Sequence, residues 1–252
     1  MKNWVLLRGL TREARHWDAF PALLEQRLPV GDRIVAPDLP GNGRLWREAS
    51  PWSVADVMRD VRVRLLAQGY RPPYVLVALS LGGMVAMEWA LQAREELDAC
   101  ILVNTSAAGL SPFWQRMQPR CYPVLLRSLL PGPAAARERA VYALTSTRAP
   151  DAAVLRQWVD YAESHPVSTT NALRQLVAAA RFRAPAQLPV PALVLASRGD
   201  RLVAPECSRA IARAWKLPLR EHPTAGHDLP LDDPAWIVEQ IARCWPEHFV
   251  RP

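Results

Sequence analysis

The sequence predicts an α/β fold in which a mostly parallel sheet is flanked by helices. Two observations support this prediction. Short apolar runs rich in Val, Leu and Ile recur along the 252 residues, and helical patterns lie between them. The runs do not alternate with polar residues, which is typical of strands buried on both faces. Strand and helix repeated in turn build a parallel sheet covered on both sides, and a chain of this length can bury such a core.

Six runs are predicted to be strands, and each ends near polar or small residues. The predicted strands are Trp4–Leu7, Arg33–Ala36, Tyr74–Leu79, Ala99–Val103, Ala192–Ala196 and Leu217–Glu221. The segments between and after them carry helical patterns. The predicted helices are Trp17–Arg27, Ser53–Gln68, Gly82–Ala93, Pro205–Ala214 and Pro234–Cys244.

The repeat is interrupted once, by a segment that contains no convincing buried strand. This segment, residues 106–186, is called the helical insertion below. Its predicted helices are Pro119–Leu130, Ala134–Leu144, Ala152–Ser164 and Ser168–Arg181. Ligands of open α/β sheets bind outside the carboxyl ends of the strands, where such an insertion would cover the site. The sequence therefore predicts a core domain of residues 1–105 and 187–252 with a helical lid at 106–186.

Composition narrows the class of protein. The formal net charge is +7, and only Lys2 and Lys216 among the basic residues are lysine. The chain shows no nucleic-acid-binding motif, and an arginine-rich solvated surface explains the charge. No apolar stretch approaches the roughly 20 residues that cross a bilayer, and Met1 leads directly into a predicted strand without signal-peptide features. The four scattered cysteines have no metal-binding spacing, so reduced thiols in a cytoplasmic protein without a metal site are expected.

Ser80 is the first candidate catalytic residue. It follows the apolar run Val75–Leu79 and precedes a helical pattern, in the sequence Ala78-Leu79-Ser80-Leu81-Gly82. A sharp turn from strand to helix holds such a serine in strained geometry and exposes its hydroxyl beside free backbone N–H groups. The alternative is a serine that only caps the following helix.

A serine hydroxyl needs a base, and the base needs an orienting acid. His227, in the loop after the last predicted strand, is the candidate base, and His222 at the end of that strand is the competitor. Asp200 follows the strand Ala192–Ala196 and is the candidate acid. It could instead be an ordinary turn residue or a partner of a neighbouring arginine.

The chain order Ser80, Asp200, His227 places each group at the end of a separate strand, which is far more specific than the serine motif alone. The second requirement of acyl transfer is an oxyanion hole. The backbone N–H groups of Leu10, after the first strand, and Leu81, after the serine, are the candidates.

Together these residues resemble the α/β-hydrolase family. The turn Asp38-Leu39-Pro40-Gly41-Asn42-Gly43, the Ser80 turn, and Gly226-His227 followed by Asp233-Pro234 are all similar to family motifs. The resemblance spans essentially the whole chain and implies a serine esterase without cofactor. Within this family, the length of the chain, the Ser80 turn and the predicted helical lid resemble those of small carboxylesterases. One example is the esterase type that demethylates pimeloyl-carrier-protein methyl esters.

Arg8 and Ala78 depart from the family pattern. Ala78 stands where glycine is usual before the serine, and a methyl group is still small. Arg8 stands where the family commonly has histidine before the oxyanion glycine. The Arg8 side chain could support the loop, place a cation near an anionic substrate, or have no role in substrate binding.

The sequence therefore predicts a serine hydrolase that cleaves a small-molecule carboxylic ester or thioester through an acyl-enzyme. Two alternatives are a non-catalytic ligand-binding protein of the same fold and a C–C bond hydrolase or lyase using the same triad. Four residues of the insertion are predicted to line the acyl pocket, or else to form the core of the lid: Phe113, Trp114, Met117 and Tyr122.

Six of the arginines of the insertion are a candidate docking face for an acidic acyl carrier protein. They are Arg116, Arg120, Arg127, Arg137, Arg139 and Arg148. Arginine also covers many lids that bind no such partner, and that interpretation is preferred.

Overall fold

The computed structural model describes residues 1–128, 130 and 132–245. Its strands are Asn3–Leu7 (β1), Arg33–Val35 (β2), Tyr74–Leu79 (β3), Leu97–Val103 (β4), Ala192–Ser197 (β5) and Leu219–His222 (β6). Its α-helices are Phe20–Glu25 (α1), Val54–Ala67 (α2), Leu81–Gln92 (α3), Phe113–Arg116 (α4), Tyr122–Ser128 (α5), Ala134–Thr145 (α6), Ala152–Ser164 (α7), Thr169–Arg181 (α8), Pro205–Trp215 (α9), Leu229–Asp232 (α10) and Pro234–Cys244 (α11). The α/β fold predicted from the sequence is confirmed.

The strands form a parallel sheet in the order β2-β1-β3-β4-β5-β6. The register pairs Leu79 with Val103, and Val103 with Leu195. The carboxyl ends of β3, β4 and β5 therefore lie side by side. The residues that follow these strands are consequently brought to one edge of the sheet.

Both faces of the sheet are buried, as the unalternating strands predicted. In β3, Leu76 and Ala78 pack on the side of α2, α3 and α9, whereas Val75, Val77 and Leu79 pack on the side of α1 and α11. Successive side chains of a strand point to opposite faces, so a strand covered on both sides must be apolar throughout. The sheet is thereby a fixed platform for its loops.

Side-chain caps mark the start of four helices. The Ser53, Asp151, Ser168 and Asp233 side chains each accept a hydrogen bond from a first-turn backbone N–H. Each cap satisfies a donor that the helix itself leaves open. Helix α1 is shorter than predicted because Asp18, with a φ of 48°, separates it from a 3₁₀ turn at Ala14–Trp17.

Between β4 and β5 the described residues form helices α4 to α8, and the β-structure found there is an isolated bridge between Ala108 and Arg183. The helical character predicted for this region agrees with the structure. Its behaviour as a separate lid domain with bounds 106 and 186 stays a prediction. Among the described residues, no helix is long and apolar enough to cross a membrane.

Candidate active site

Ser80 occupies a strained turn between β3 and α3. Its φ of 57° and ψ of −115° lie where a non-glycine residue is rarely found. The backbone is held there because Ser80 N–H donates to Val103 O at 2.9 Å and Thr105 Oγ1 donates to Ser80 O at 2.7 Å. The Ser80 side chain makes no capping hydrogen bond to α3, which contradicts the alternative that it only caps this helix.

Glycine allows α3 to begin directly against the loop after β1. A Cβ added to Gly82 would lie 2.2 Å from Leu7 O, and one added to Gly9 would lie 3.1 Å from Ser80 Cβ. The first of these distances would require backbone movement. The close approach brings the Gly9–Leu10 peptide next to the nucleophile turn.

Two backbone N–H groups are uncommitted at this junction. Within the described part of the chain, neither Leu10 N–H nor Leu81 N–H donates a hydrogen bond to another protein group. The loop around Leu10 is nevertheless fixed, because Thr11 N–H donates to Gln175 Oε1 at 2.9 Å and Arg12 N–H donates to Gly9 O at 3.3 Å. These are the properties that an oxyanion hole requires.

His227 and Asp200 form a buried pair. His227 Nδ1 lies 2.7 Å from Asp200 Oδ2, and each residue is only 5% exposed. The other oxygen, Asp200 Oδ1, accepts hydrogen bonds from the N–H groups of Leu202 and Val203 at 2.8 and 2.9 Å. These two bonds fix the carboxylate, so that Oδ2 can orient the imidazole.

The geometry does not favour the alternative interpretations, in which Asp200 pairs with Arg198 and His222 is the base. Arg198, which could have paired with Asp200, instead lies 3.4 Å from Glu221. His222 uses its ring for structure: Nδ1 accepts from Ala225 N–H at 2.8 Å, and Nε2 lies 3.2 Å from Asp233 Oδ2.

Ser80 and His227 face a common cavity of about 270 Å³, called the Ser80 cavity below. In the described structure, no hydrogen bond joins the Ser80 hydroxyl to His227. Such contacts are often long in unliganded proteins and shorten when substrate binds. The arrangement brings the Ser80 hydroxyl, the His227 imidazole and the Leu10 residue to one cavity, with the free N–H of Leu81 next to Ser80 in the chain.

Arg8 acts within the fold rather than as a free cation. It is 2% exposed, and its Nη1 and Nη2 donate to both carboxylate oxygens of Asp228 at 3.0 and 2.7 Å. Arg8 belongs to the loop that carries Leu10, and Asp228 follows His227 directly. Although Arg8 lines the Ser80 cavity, its charge is neutralised by Asp228, and the pair joins the two loops.

The apolar lining of the cavity differs from the prediction. None of Phe113, Trp114, Met117 and Tyr122 is part of it, and Phe113 and Trp114 are 69% and 53% exposed. Pro112 precedes the short helix α4, and the Phe113 and Trp114 ring centroids lie 5.2 Å apart. The insertion instead contributes aliphatic residues from its later helices, among them Leu125, Val141, Leu144 and Leu176.

The segment after α4 is hydrogen-bonded to the turn that carries Asp200. Gln118 N–H donates to Leu202 O, and Gln118 Nε2 donates to Asp200 O, both at 2.9 Å. Gln115 O accepts from Ala204 N–H at 2.8 Å. This part of the insertion therefore positions the Asp200 turn.

Two residues that the sequence reasoning missed hold the His227 loop. Asn104 Nδ2 donates to His227 O at 2.9 Å, and Asp232 Oδ2 accepts from Gly226 N–H at 2.6 Å. Asn104 directly follows β4, so its position at the carboxyl end of a central strand could have identified it. Asp232 gives no such signal, because it is one of several acidic residues around the last two helices.

Comparison with known proteins now identifies the family. A family model described as "Alpha/beta hydrolase family" matches residues 4–240. The chain belongs to this family. A Variovorax paradoxus protein provisionally named carbamate hydrolase RutD is 30% identical over 235 residues, which cover 88% of this chain and 84% of that protein.

Solved structures of other α/β-hydrolases share the fold. An esterase from Thermogutta terrifontis superposes with a TM-score of 0.77 at 22% identity, covering 99% of this chain and 91% of that one. The esterase RhEst1 from Rhodococcus sp. ECU1013 superposes with a TM-score of 0.77 at 20% identity, covering 98% and 91%. At these identities the superpositions establish the shared architecture.

Proposed function

We propose that this α/β-hydrolase is a serine hydrolase that cleaves a carboxylic ester through an acyl-enzyme. The observation that carries the proposal is the buried His227–Asp200 pair on the cavity that Ser80 lines. The family is one of hydrolases, and esterases are among the structures that share its fold.

In the proposed first step, His227 Nε2 accepts the Ser80 proton while Ser80 Oγ bonds to the ester carbonyl carbon. The carbonyl oxygen becomes an oxyanion, which the N–H groups of Leu10 and Leu81 stabilise. The bond to the leaving alkoxide then breaks, and His227 protonates that oxygen. Water, deprotonated by His227, attacks the acyl-enzyme and releases the carboxylic acid and Ser80.

The cavity favours a compact acyl group. Its volume of about 270 Å³ lies just below the roughly 300–1,000 Å³ that is typical of ligand pockets. Aliphatic side chains, Val141 and Leu176 among them, contact the apolar part of the substrate in this proposal. The resemblance to pimeloyl-carrier-protein esterases and the docking of a carrier protein stay predictions.

Carbamate hydrolysis is a second candidate, favoured by the 30% identity to the protein named carbamate hydrolase RutD. A carbamate carbonyl could be attacked by the same serine with the same oxyanion donors. Comparing kcat/KM for methyl esters and methyl carbamates of matched size decides between the two substrate classes.

Replacing Ser80 tests the mechanism itself. Ser80→Ala is expected to lower kcat by roughly 10⁴–10⁶ because the three residues act as a unit. It should also abolish labelling by a fluorophosphonate, which requires an activated serine. Ser53→Ala is the control, since it makes the same substitution at a serine that caps α2 and lies outside the cavity lining.

Either of two results would refute this mechanism: undiminished ester hydrolysis in Ser80→Ala, or a folded wild-type protein that is neither labelled nor active. The second result would favour the non-catalytic ligand-binding alternative. Labelling combined with activity only on a C–C bond would favour the C–C hydrolase.

A further inference from the structure

We propose that Arg137 is a substrate-binding residue that recognises a second, anionic group, so that the preferred substrate is an ester with a free carboxylate. This inference rests on the proposed function. It is carried by the arginines of the Ser80 cavity: among the described lining residues, Arg137 is the one guanidinium that is not hydrogen-bonded to a carboxylate.

The described residues lining the cavity include three carboxylates, and each has its own guanidinium. Asp228 is bound by Arg8 at 2.7 Å. Glu138 Oε2 accepts from Arg12 Nη1 at 2.6 Å. The third carboxylate, Glu13, accepts from Arg15 Nη2 at 3.0 Å through Oε2. Glu138 is the one of these carboxylates that also faces Arg137, at the longer distance of 3.7 Å.

Arg137 is the remaining guanidinium in the described cavity lining. Its Nε lies 3.7 Å from Glu138 Oε1, beyond hydrogen-bond distance, and the Arg137 side chain makes no hydrogen bond to a described residue. That side chain is 33% exposed and lines the Ser80 cavity. Its N–H donors are free to form a charge-assisted, two-point contact with a carboxylate.

Glu138 does not bind Arg12 and Arg137 equally, because other contacts hold the Arg12 guanidinium beside it. The Arg12 guanidinium stacks on the Trp158 ring at 4.4 Å, and its Nη1 also lies 3.1 Å from His16 Nε2. Arg12 thus neutralises Glu138 in a fixed geometry. Arg137 keeps only the longer ion pair with Glu138, so its N–H donors stay open to a ligand.

A pair of methyl esters that differ in one terminal group provides the test. Monomethyl adipate carries a free carboxylate, whereas methyl hexanoate ends in a methyl group. We expect Arg137→Gln to lower the ratio of kcat/KM for monomethyl adipate over methyl hexanoate by about tenfold or more. Arg137→Lys, which keeps the charge but not the planar fork, should lower it less.

Arg139→Gln is the matched control. Arg139 is an exposed arginine on the same helix, so its loss changes the net charge equally without altering the cavity. The ratio should stay at the wild-type value in this variant. Equal loss of the ratio in both arginine variants would attribute the effect to overall charge and overturn the assignment, as would an unchanged ratio in Arg137→Gln.

A binding measurement separates this inference from the proposed chemistry. Calorimetry on Ser80→Ala should detect binding of monomethyl adipate that weakens about tenfold when Arg137→Gln is added. Hydrolysis of methyl hexanoate without this difference would leave the proposed function standing and refute the role of Arg137. Inactivity of the folded wild-type protein towards both esters would refute the function, and absence of calorimetric binding would then refute the subsite as well.

Discussion

At the scale of single residues, the Asp200 side chain sets the orientation and the tautomer of His227. The carboxylate is fixed by two backbone N–H groups and presents its remaining oxygen to His227 Nδ1. An amide at the same position can present an NH₂ group to that nitrogen and stabilise the wrong tautomer. The hydrogen bond would survive, but His227 Nε2 would no longer be the basic nitrogen.

We therefore expect Asp200→Asn to lower kcat by about 10⁴ while the protein stays folded. Steady-state kinetics and circular dichroism on the same sample check both parts. Asp233→Asn is a suitable control because Asp233 caps α11 and lies outside the cavity lining. Retention of more than a tenth of the activity in Asp200→Asn would contradict the assigned role.

Breaking the buried Arg8–Asp228 pair is expected to destabilise the folded protein. Both side chains are nearly inaccessible, at 2% and 4%. Removing one partner leaves a buried, unpaired charge, which costs about 3–5 kcal/mol. Arg8→Met should lower the free energy of unfolding by this amount in urea denaturation.

The double variant Arg8→Met/Asp228→Leu tests the reason for that loss. It should recover much of the lost stability because no isolated charge remains. Equal instability of the single and double variants would show that packing around Arg8, including its contact with the Trp17 ring at 5.1 Å, dominates.

At the scale of elements, the His227 loop is clamped between helix α6 and helix α10. Asp232, at the end of α10, accepts hydrogen bonds from Gly226 N–H, from Thr147 N–H at 3.1 Å, and from the Ser146 hydroxyl. Asp228 N–H donates to Thr145 O at 2.8 Å. The insertion and the loop that carries His227 are thus joined by hydrogen bonds.

Asp232→Ala should loosen this connection. Leaving these donors unsatisfied is expected to cost about 1–3 kcal/mol, and the loss should be concentrated in the loop. Hydrogen exchange at residues 225–228 should therefore accelerate by roughly tenfold or more, and kcat should fall. Unchanged exchange in this loop would show that Asn104 and the sheet hold it without the clamp.

At the scale of the whole molecule, His16 links global stability to pH. Because its pKa is lowered well below the usual value of about 6.5, the folded protein excludes a proton that the unfolded chain binds. Stability is therefore fully present above about pH 6.5 and decreases as the pH falls below it, by at most about 1.4 kcal/mol per pH unit.

Urea unfolding of the wild-type protein and His16→Asn between pH 5.5 and 7.5 measures this effect. The variant should show a smaller loss of stability towards acid. Asp18 and Asp38, whose pKa values are raised chiefly by burial, act in the opposite direction at lower pH, which is why the range stops at 5.5. If the free energy of unfolding changed with pH equally in the two proteins, His16 would be excluded as the source of the pH dependence.

The sequence alone determined the local features of this molecule. Hydrophobic runs predicted the positions of strands β1 to β6 to within a few residues. The small residues around Ser80 predicted its strained turn. Both are short-range properties: side-chain burial on a two-sided sheet demands apolar runs, and a tight strand-to-helix turn demands small neighbours.

Only the tertiary structure decided which distant side chains meet. The pairing of Arg8 with Asp228, the clamp at Asp232 and the cavity position of Arg137 depend on loop paths and helix packing, which sequence periodicity does not encode. The same reason explains why Phe113 and Trp114 were assigned to the pocket although they lie on the surface. Their apolar character predicts that they should be covered, but the path of the insertion decides whether they are.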